Sequence, residues 1–344
     1  VLRQARLDTM ASEYELRGFI EALVAEVEET YWDYALAQRQ IKIFLESLSL
    51  AERQKRETEV MIRIGSLAES ELAAAQAEIA LRREGLINAK SSLEKNRIKL
   101  LKLLNPPVSD PWKSSVVLLH EPTMPQVSLD DVDSHVAVAL RLRSDLNQAR
   151  LQVQRGDLIT VRTRDGLLPK LDFFISLGRT GYAETFGRSV KTIDDDSYDV
   201  GAGLQLELPL VNRQARAQYQ ASLLDRAQAE EALKNLVQLV EVDVRTAYIE
   251  ICRAREQLAA TAATRALQEE KTRIETEKFQ VGKSTTLLVA QAQRDLLSSQ
   301  ISEIQAVTNS LKALIALYRL EGSLLERRGI SAPGADSLQT LQGE

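Results

Sequence analysis

The chain of 344 residues contains one cysteine, Cys252, and two histidines, His120 and His135. A single thiol excludes a disulfide framework or a cysteine metal site within one chain. Two histidines argue against a histidine metal cluster or a catalytic triad, and both read as packing or surface residues. Aromatic residues make up only 5%, and no run of about twenty apolar residues occurs, so no segment reads as a transmembrane helix. Neither sign of charge dominates: 44 Lys+Arg against 49 Asp+Glu leave a net charge of −5, which gives no reason to expect a nucleic-acid partner. The many carboxylates are scattered over helix faces without a catalytic constellation. Neither an enzyme nor a cofactor is therefore expected. Val1-Leu2-Arg3 shows no signal-peptide pattern.

Ala, Leu, Gln, Glu and Arg dominate, which favours long helices. Proline, excluded from helix interiors, divides the chain. Pro106, Pro107, Pro111, Pro122 and Pro125 cluster in one linker, Pro169 and Pro209 bracket a second non-helical stretch, and Pro333 lies in the tail. Within the long proline-free part, Leu233, Leu236, Val237, Val240, Val244, Tyr248 and Ile251 recur at helical spacing and form one apolar stripe.

The stretch "QVGKSTTLL" at 280–288 holds Gly-Lys-Ser-Thr, the end of a phosphate loop. Such a loop needs a further glycine at 277, where this chain has Glu277, and a preceding strand, where this chain reads as helix. An internal repeat explains the segment better. Gly65 and Gly282 stand 217 positions apart, and at that offset Val27 meets Val244, Tyr31 meets Tyr248, Ala37 meets Ala254, Gln76 meets Gln293 and Leu103 meets Leu320. Asn105 falls on Gly322, and both residue types suit a left-handed helix end. "IRIGSLAES" and "FQVGKSTTL" are thus expected to be one helix-reversing turn used twice, with only the glycine in common. By the same offset Leu2 corresponds to Tyr219 inside a helix, so the first repeat's leading helix and strands are expected to precede Val1.

Residues 167–210 differ in kind. Leu171, Phe173, Ile175 and Leu177 alternate with Asp172, Phe174, Ser176 and Gly178. Tyr198, Val200, Ala202, Leu204, Leu206 and Leu208 alternate with small or polar residues in the same way. Each run has about ten residues, the length of a tilted strand crossing a bilayer. A polar loop with Asp194-Asp195-Asp196 joins them, and Tyr182, Phe186 and Tyr198 suit a membrane interface. At about 1.5 Å per residue, helices of about 40 and about 36 residues climb roughly 115 Å, and one of about 72 descends roughly 110 Å. This arithmetic predicts a rod with the strands at one end and both glycine turns at the other.

Together these features resemble the TolC-type outer-membrane efflux channels. The resemblance rests on "EETYWDYALAQ" and "VRTAYIEICRA", on the turns "IGS" and "VGK", on "ALRLRSDLNQAR" leading into "LPKLDFF", and on "VGAGLQLELPLVNR". It implies a mainly α fold with a small β part: long antiparallel helices forming a trimeric α-helical tunnel, plus transmembrane β-barrel strands. The expected segments are a first helical hairpin at 1–104, an equatorial linker at 105–129, and a second-repeat leading helix at 130–166. A strand pair with its loop follows at 167–210, then a second hairpin at 211–322 and a tail at 323–344. Three copies of one strand pair supply six strands, fewer than a lipid-facing barrel needs.

The resemblance further implies an exit duct in the outer membrane of a Gram-negative bacterium, reaching into the periplasm. Its expected partners are two further copies, a periplasmic adaptor, an inner-membrane pump reached indirectly, and outer-membrane lipid. The adaptor would dock at the tips formed by Ile64, Gly65, Ser66 and Leu67 with Val281, Gly282, Lys283 and Ser284. Members of the family place acids six and nine positions after the second glycine; here those positions are Leu288 and Gln291, so an apolar constriction at Leu288 replaces the acidic ring. Packing of Leu288 against a neighbouring helix is the alternative. An acid of the family's gate lock is kept as Glu71, but its arginine position is Ser284, leaving Lys283 as the substitute. A competing reading of the whole chain is a soluble periplasmic helical tether.

Overall fold

The computed structural model describes residues 2–123, 128–179, 184–191, 198–208 and 212–331. Tyr182, the acidic loop run Asp194–Asp196, and Pro125, Pro209 and Pro333 lie outside them. Eight helices and two strands appear among the described residues: α1 (Leu2–Arg63), α2 (Ser70–Leu104), α3 (Val132–Leu142), α4 (Ser144–Asp165), β1 (Lys170–Arg179), α5 (Phe186–Lys191), β2 (Tyr198–Glu207), α6 (Arg213–Gln280), α7 (Thr286–Leu320) and α8 (Leu324–Arg327). They form two compact units, Val1–Thr9 with Ala149–Lys234, and Met10–Gln148 with Asn235–Glu344.

In the first unit, α4 lies against the start of α6. Gly156 faces Arg226 of α6, and a Cβ there would make ordinary van der Waals contact with it at 3.6 Å. Thr163 and Ser222 share a hydroxyl bond of 2.8 Å, and Arg226 pairs with Asp157 at 2.5 Å. The strands form one antiparallel pair. Its register sets Leu171 opposite Leu206, Phe173 opposite Leu204, Ile175 opposite Ala202 and Leu177 opposite Val200. Because side chains alternate across a sheet, these eight share one face, as the period-two pattern predicts. The other face carries Asp172 with Gln205, Ser176 with Gly201, and Phe174, whose ring lies over Gly203 where any Cβ would come within 2.7 Å.

In the second unit the core is built where the sequence stripe predicts it. Val240, Val244 and Ile251 are fully buried with Ala247 and Ala254, against Ala25 of α1, Val136 and Ala139 of α3, and Ala313–Tyr318 of α7. Burying each of the larger side chains stabilises the unit by about 1.5–3 kcal/mol. Alanines and branched residues from all four helices mix in this cluster. The linker is pinned to this hairpin by its polar groups: Tyr34 donates to the Val116 carbonyl, Tyr31 bonds His120, and Arg97 donates to the carbonyls of Trp112 and Ser114.

Three features depart from or refine the sequence reading. The leading helix expected over 130–166 is two helices, because Arg143 adopts an extended conformation (φ −61, ψ 124) between α3 and α4. Its guanidinium bonds Asp145 and Asp243, and Asn147 donates to the Arg141 carbonyl across the break. The segment after Gly322, expected as a tail, begins with α8, whose Leu324 and Leu325 are buried. Buried charges also brace this junction. Arg17 of α1 bonds Glu21, the Gly322 carbonyl and Glu326. Glu321, wholly buried, accepts from His135, Ser323 and Arg327. Burial pushes the Glu21 carboxyl up to about 7 against the opposing pull of Arg17.

Helix ends follow the expected chemistry. Asn105 closes α2 at φ 39, ψ 58, and Pro106 and Pro107 prevent continuation. Gly322 closes α7 at φ 71, and a Cβ there would meet the Leu142 and Arg143 backbones at 3.0 Å. Gly65 also has positive φ but nothing within 4 Å. Gly65→Ala should therefore cost only the left-handed penalty, about 1–2 kcal/mol, whereas Gly322→Ala adds a backbone clash. Thermal unfolding is expected to show the larger loss of Tm for Gly322→Ala.

Candidate docking tips and pore-lining residues

The two glycine turns have the same hydrogen-bond pattern. After α1, the Gly65 N–H donates to Ile62 at 2.9 Å and the Ser66 N–H to Met61 at 2.8 Å. After α6, Gly282 donates to Phe279 at 3.0 Å and Lys283 to Lys278 at 2.8 Å. Each is a Schellman ending, which requires a left-handed residue at the glycine. The observed φ values are 77 and 72. Both turns present apolar residues to solvent, with Ile64 71% and Val281 67% exposed. Ser66 is exposed and Leu67 half-buried.

This geometry also disposes of the phosphate-loop resemblance. A phosphate cradle needs free backbone N–H groups. Those of Gly282 and Lys283 are committed to helix carbonyls. The hydroxyls are engaged too. Ser284 donates to Glu275 at 2.8 Å, and Thr285 caps α7 by accepting from the Leu288 N–H. Lys278 and then Ser284 hold the Glu275 carboxyl below the usual range. Sequence reading missed this brace, in which Ser284 stabilises its own turn.

Leu288 and Gln291 lie on the exposed side of α7, while Val289 and Ala292 between and beside them are buried. Leu288 retains 48% of its exposure within the chain. Glu71 is half-buried on α2 and lines a groove with Ala51, Ala74, Thr286, Leu287 and Ala290. Lys283 is exposed, and among the described residues no ion pair joins it to Glu71 within the chain. Two α7 residues, Arg294 and Gln293 (the latter noted in the sequence only as the repeat counterpart of Gln76), do reach the first hairpin. Arg294 bonds Glu78 at 2.6 Å and Gln293 bonds Gln54 at 2.6 Å. No period or motif marks such pairs, because they join residues more than 200 positions apart.

Among the described residues there is no helix long and apolar enough to cross a membrane, and no group of metal-ligating side chains. The apolar face of the strand pair is exposed instead, with Phe173 66%, Leu177 79% and Leu204 71% accessible.

The outer membrane efflux protein family model matches residues 1–106 and 136–323. No curated protein is matched. Among solved structures, the outer-membrane channel OprN is 20% identical with a TM-score of 0.82, covering 94% of this chain and 71% of that one. The Campylobacter jejuni outer-membrane channel CmeC is 15% identical with a TM-score of 0.79, covering 99% and 69%. The open-state MtrE outer-membrane channel of Neisseria gonorrhoeae is 18% identical with a TM-score of 0.72, covering 92% and 72%. At these identities the likeness is one of fold. The family match spans most of the chain, and it is with this match that the twin turns, the long helices and the apolar strand face agree: the chain belongs to the outer membrane efflux protein family and is an outer-membrane protein.

Proposed function

We propose that the protein is the exit duct of a tripartite efflux or secretion system, passively conducting small molecules from a periplasmic adaptor and an inner-membrane pump to the exterior. No bond is made or broken in the duct, and the pump supplies the energy. The observation that carries this reading is the strand pair. Ten-residue strands whose register gathers eight apolar side chains on one face suit contact with lipid. A soluble helical tether has no use for such a face. Lipid tolerates no free strand edge, so the pair joins further strands in a closed barrel.

Association with two further copies is supported by apolar residues left exposed along the helices. Leu16, Phe19, Leu23, Leu45 and Val60 follow one side of α1, and Leu239, Val242, Ile249, Leu267 and Ile274 follow one side of α6. The adaptor docks on the two tips, where the exposed Ile64 and Val281 supply apolar contact and Ser66 and Lys283 supply polar contact. Leu288 forms the constriction, with Gln291 beside it, and an apolar ring gates by excluding water. Because Glu71 and Lys283 do not pair within the chain, their lock is assigned to contacts between copies.

Three outcomes are expected. Phe173→Arg, on the apolar strand face, should cost about 2–4 kcal/mol of membrane insertion and deplete heat-sensitive trimers from outer membranes, whereas Ser176→Arg on the opposite face should be tolerated. Gly282→Phe or Gly65→Phe should leave trimers in the membrane but abolish drug resistance; unchanged resistance would remove the tips as docking sites. Leu288→Ala should raise the single-channel open probability in planar bilayers, and no rise would count against the constriction.

A further inference from the structure

The linker between α2 and α3 holds a stretch that the fold leaves half used. Over residues 114–118 the chain runs straight, outside any helix, turn or bend, and Ser114 is extended at φ −67, ψ 133. Its side chains alternate. Ser114, Val116 and Leu118 are half-buried, whereas Ser115, Val117 and Leu119 face solvent, Val117 at 77% and Leu119 at 86% exposure. This is the period of a β-strand, yet the one sheet among the described residues pairs β1 with β2.

The backbone hydrogen bonds alternate too. Arg97 donates to the Ser114 carbonyl, Tyr34 donates to the Val116 carbonyl, and the Tyr31 hydroxyl bonds both backbone groups of His120. Among the described residues, the N–H and C=O groups of Ser115 and Val117 have no partner. One edge of the stretch is thus fastened to the α1–α2 hairpin. The other is a free strand edge, which templates pairing with a further extended chain.

Beside the stretch lies a groove of about 470 Å³ against α1, lined there by Ala35, Gln38, Arg39 and Lys42. Arg39 meets Glu121 at 3.3 Å in a solvent-exposed pair, and Lys42 is exposed with no ion pair among the described residues. Two cations against one carboxylate select an anionic occupant. Neither a helix nor a lipid chain can use the free edge, because only an extended polypeptide repeats N–H and C=O at the matching interval.

We propose that residues 114–118 are a strand-addition site for an extended segment of another protein, in which β-branched residues alternate with carboxylates. The β-branched residues stack beside Val117 on the outer face, as cross-strand neighbours do. The carboxylates turn toward Arg39 and Lys42. Lys42 precedes the first glycine turn by roughly 30 Å of helix, so the site rests on neither tip docking nor conduction.

The test measures fluorescence anisotropy of a fluorescein-labelled peptide of four Val-Glu repeats against the full-length protein in detergent. Saturable binding is expected, at least tenfold tighter than for four Val-Lys repeats. The net charge of −5 favours the lysine peptide elsewhere on the chain, so a preference for glutamate reports this site. Val117→Pro should weaken binding tenfold or more at unchanged Tm, because the Val117 N–H has no bond to lose. If that variant fails to fold, Ser115→Pro serves, since Ser114 already has the extended conformation that a following proline requires. Lys42→Glu should reverse the order of the two peptides. Absent binding, or wild-type affinity in a folded proline variant, overturns the strand edge. A preference that survives Lys42→Glu overturns the acidic occupant. If deleting residues 332–344 raises the affinity tenfold, the chain's own end holds the edge; if only dissociated protomers bind, a second copy does. Either result overturns the foreign partner.

Discussion

A helix of 62 or 68 residues has no interior of its own, and in water it persists only if a partner covers its apolar stripe along much of its length. The partner here is supplied by reversing the chain. Gly65 and Gly282 turn α1 back as α2 and α6 back as α7, each through a left-handed residue that completes a Schellman ending. Almost every other long-range contact in the larger unit presupposes these two reversals. The turns also determine what the chain presents beyond its helices, since Ile64 and Val281, each preceding a turn glycine, are largely exposed.

Between those turns and the apolar core, the chemistry of cohesion changes. The core level combines branched residues, chiefly of α6 and α7, with alanines of all four helices. The junction at the end of α7 instead uses buried charge. Arg17 bonds Glu21 and the helix-end carbonyl of Gly322, and His135 pairs with the buried Glu321. Charges buried this way stabilise weakly but tolerate few alternative arrangements, because misplacing any partner leaves an unpaired group in the core. At the alanine groove neither device operates strongly, and polar bonds remain.

Much of this was legible in the sequence because helices and strands advertise their period. The stripe from Leu233 to Ile251 marks the buried side of α6, and the alternation from Leu171 to Leu177 marks one face of β1. The repeat at 217 positions identified Gly282 as the partner of Gly65, and so identified Gly-Lys-Ser-Thr as a turn. The break at Arg143 was not legible. Nothing in "ALRLRSDLNQAR" forbids a helix; the chain departs there while the Gly322 turn lies against its backbone and Asp243 of α6 binds its guanidinium. Likewise α8 follows from the burial of Leu324 and Leu325, which two leucines beyond a glycine do not announce.

By itself the sequence determined the element types, the two reversals, the apolar strand face and the family, since each rests on local periodicity, a backbone requirement or residue order. Tertiary structure alone decided which polar groups meet. Ser284 went to Glu275 and not to an acid on α2, Glu71 and Lys283 stayed apart within the chain, and Glu78 gathered two arginines. Ion pairs and side-chain hydrogen bonds have no period. They are set by the distance and angle at which helices from distant parts of the chain happen to pass, and those are settled only when the apolar core packs.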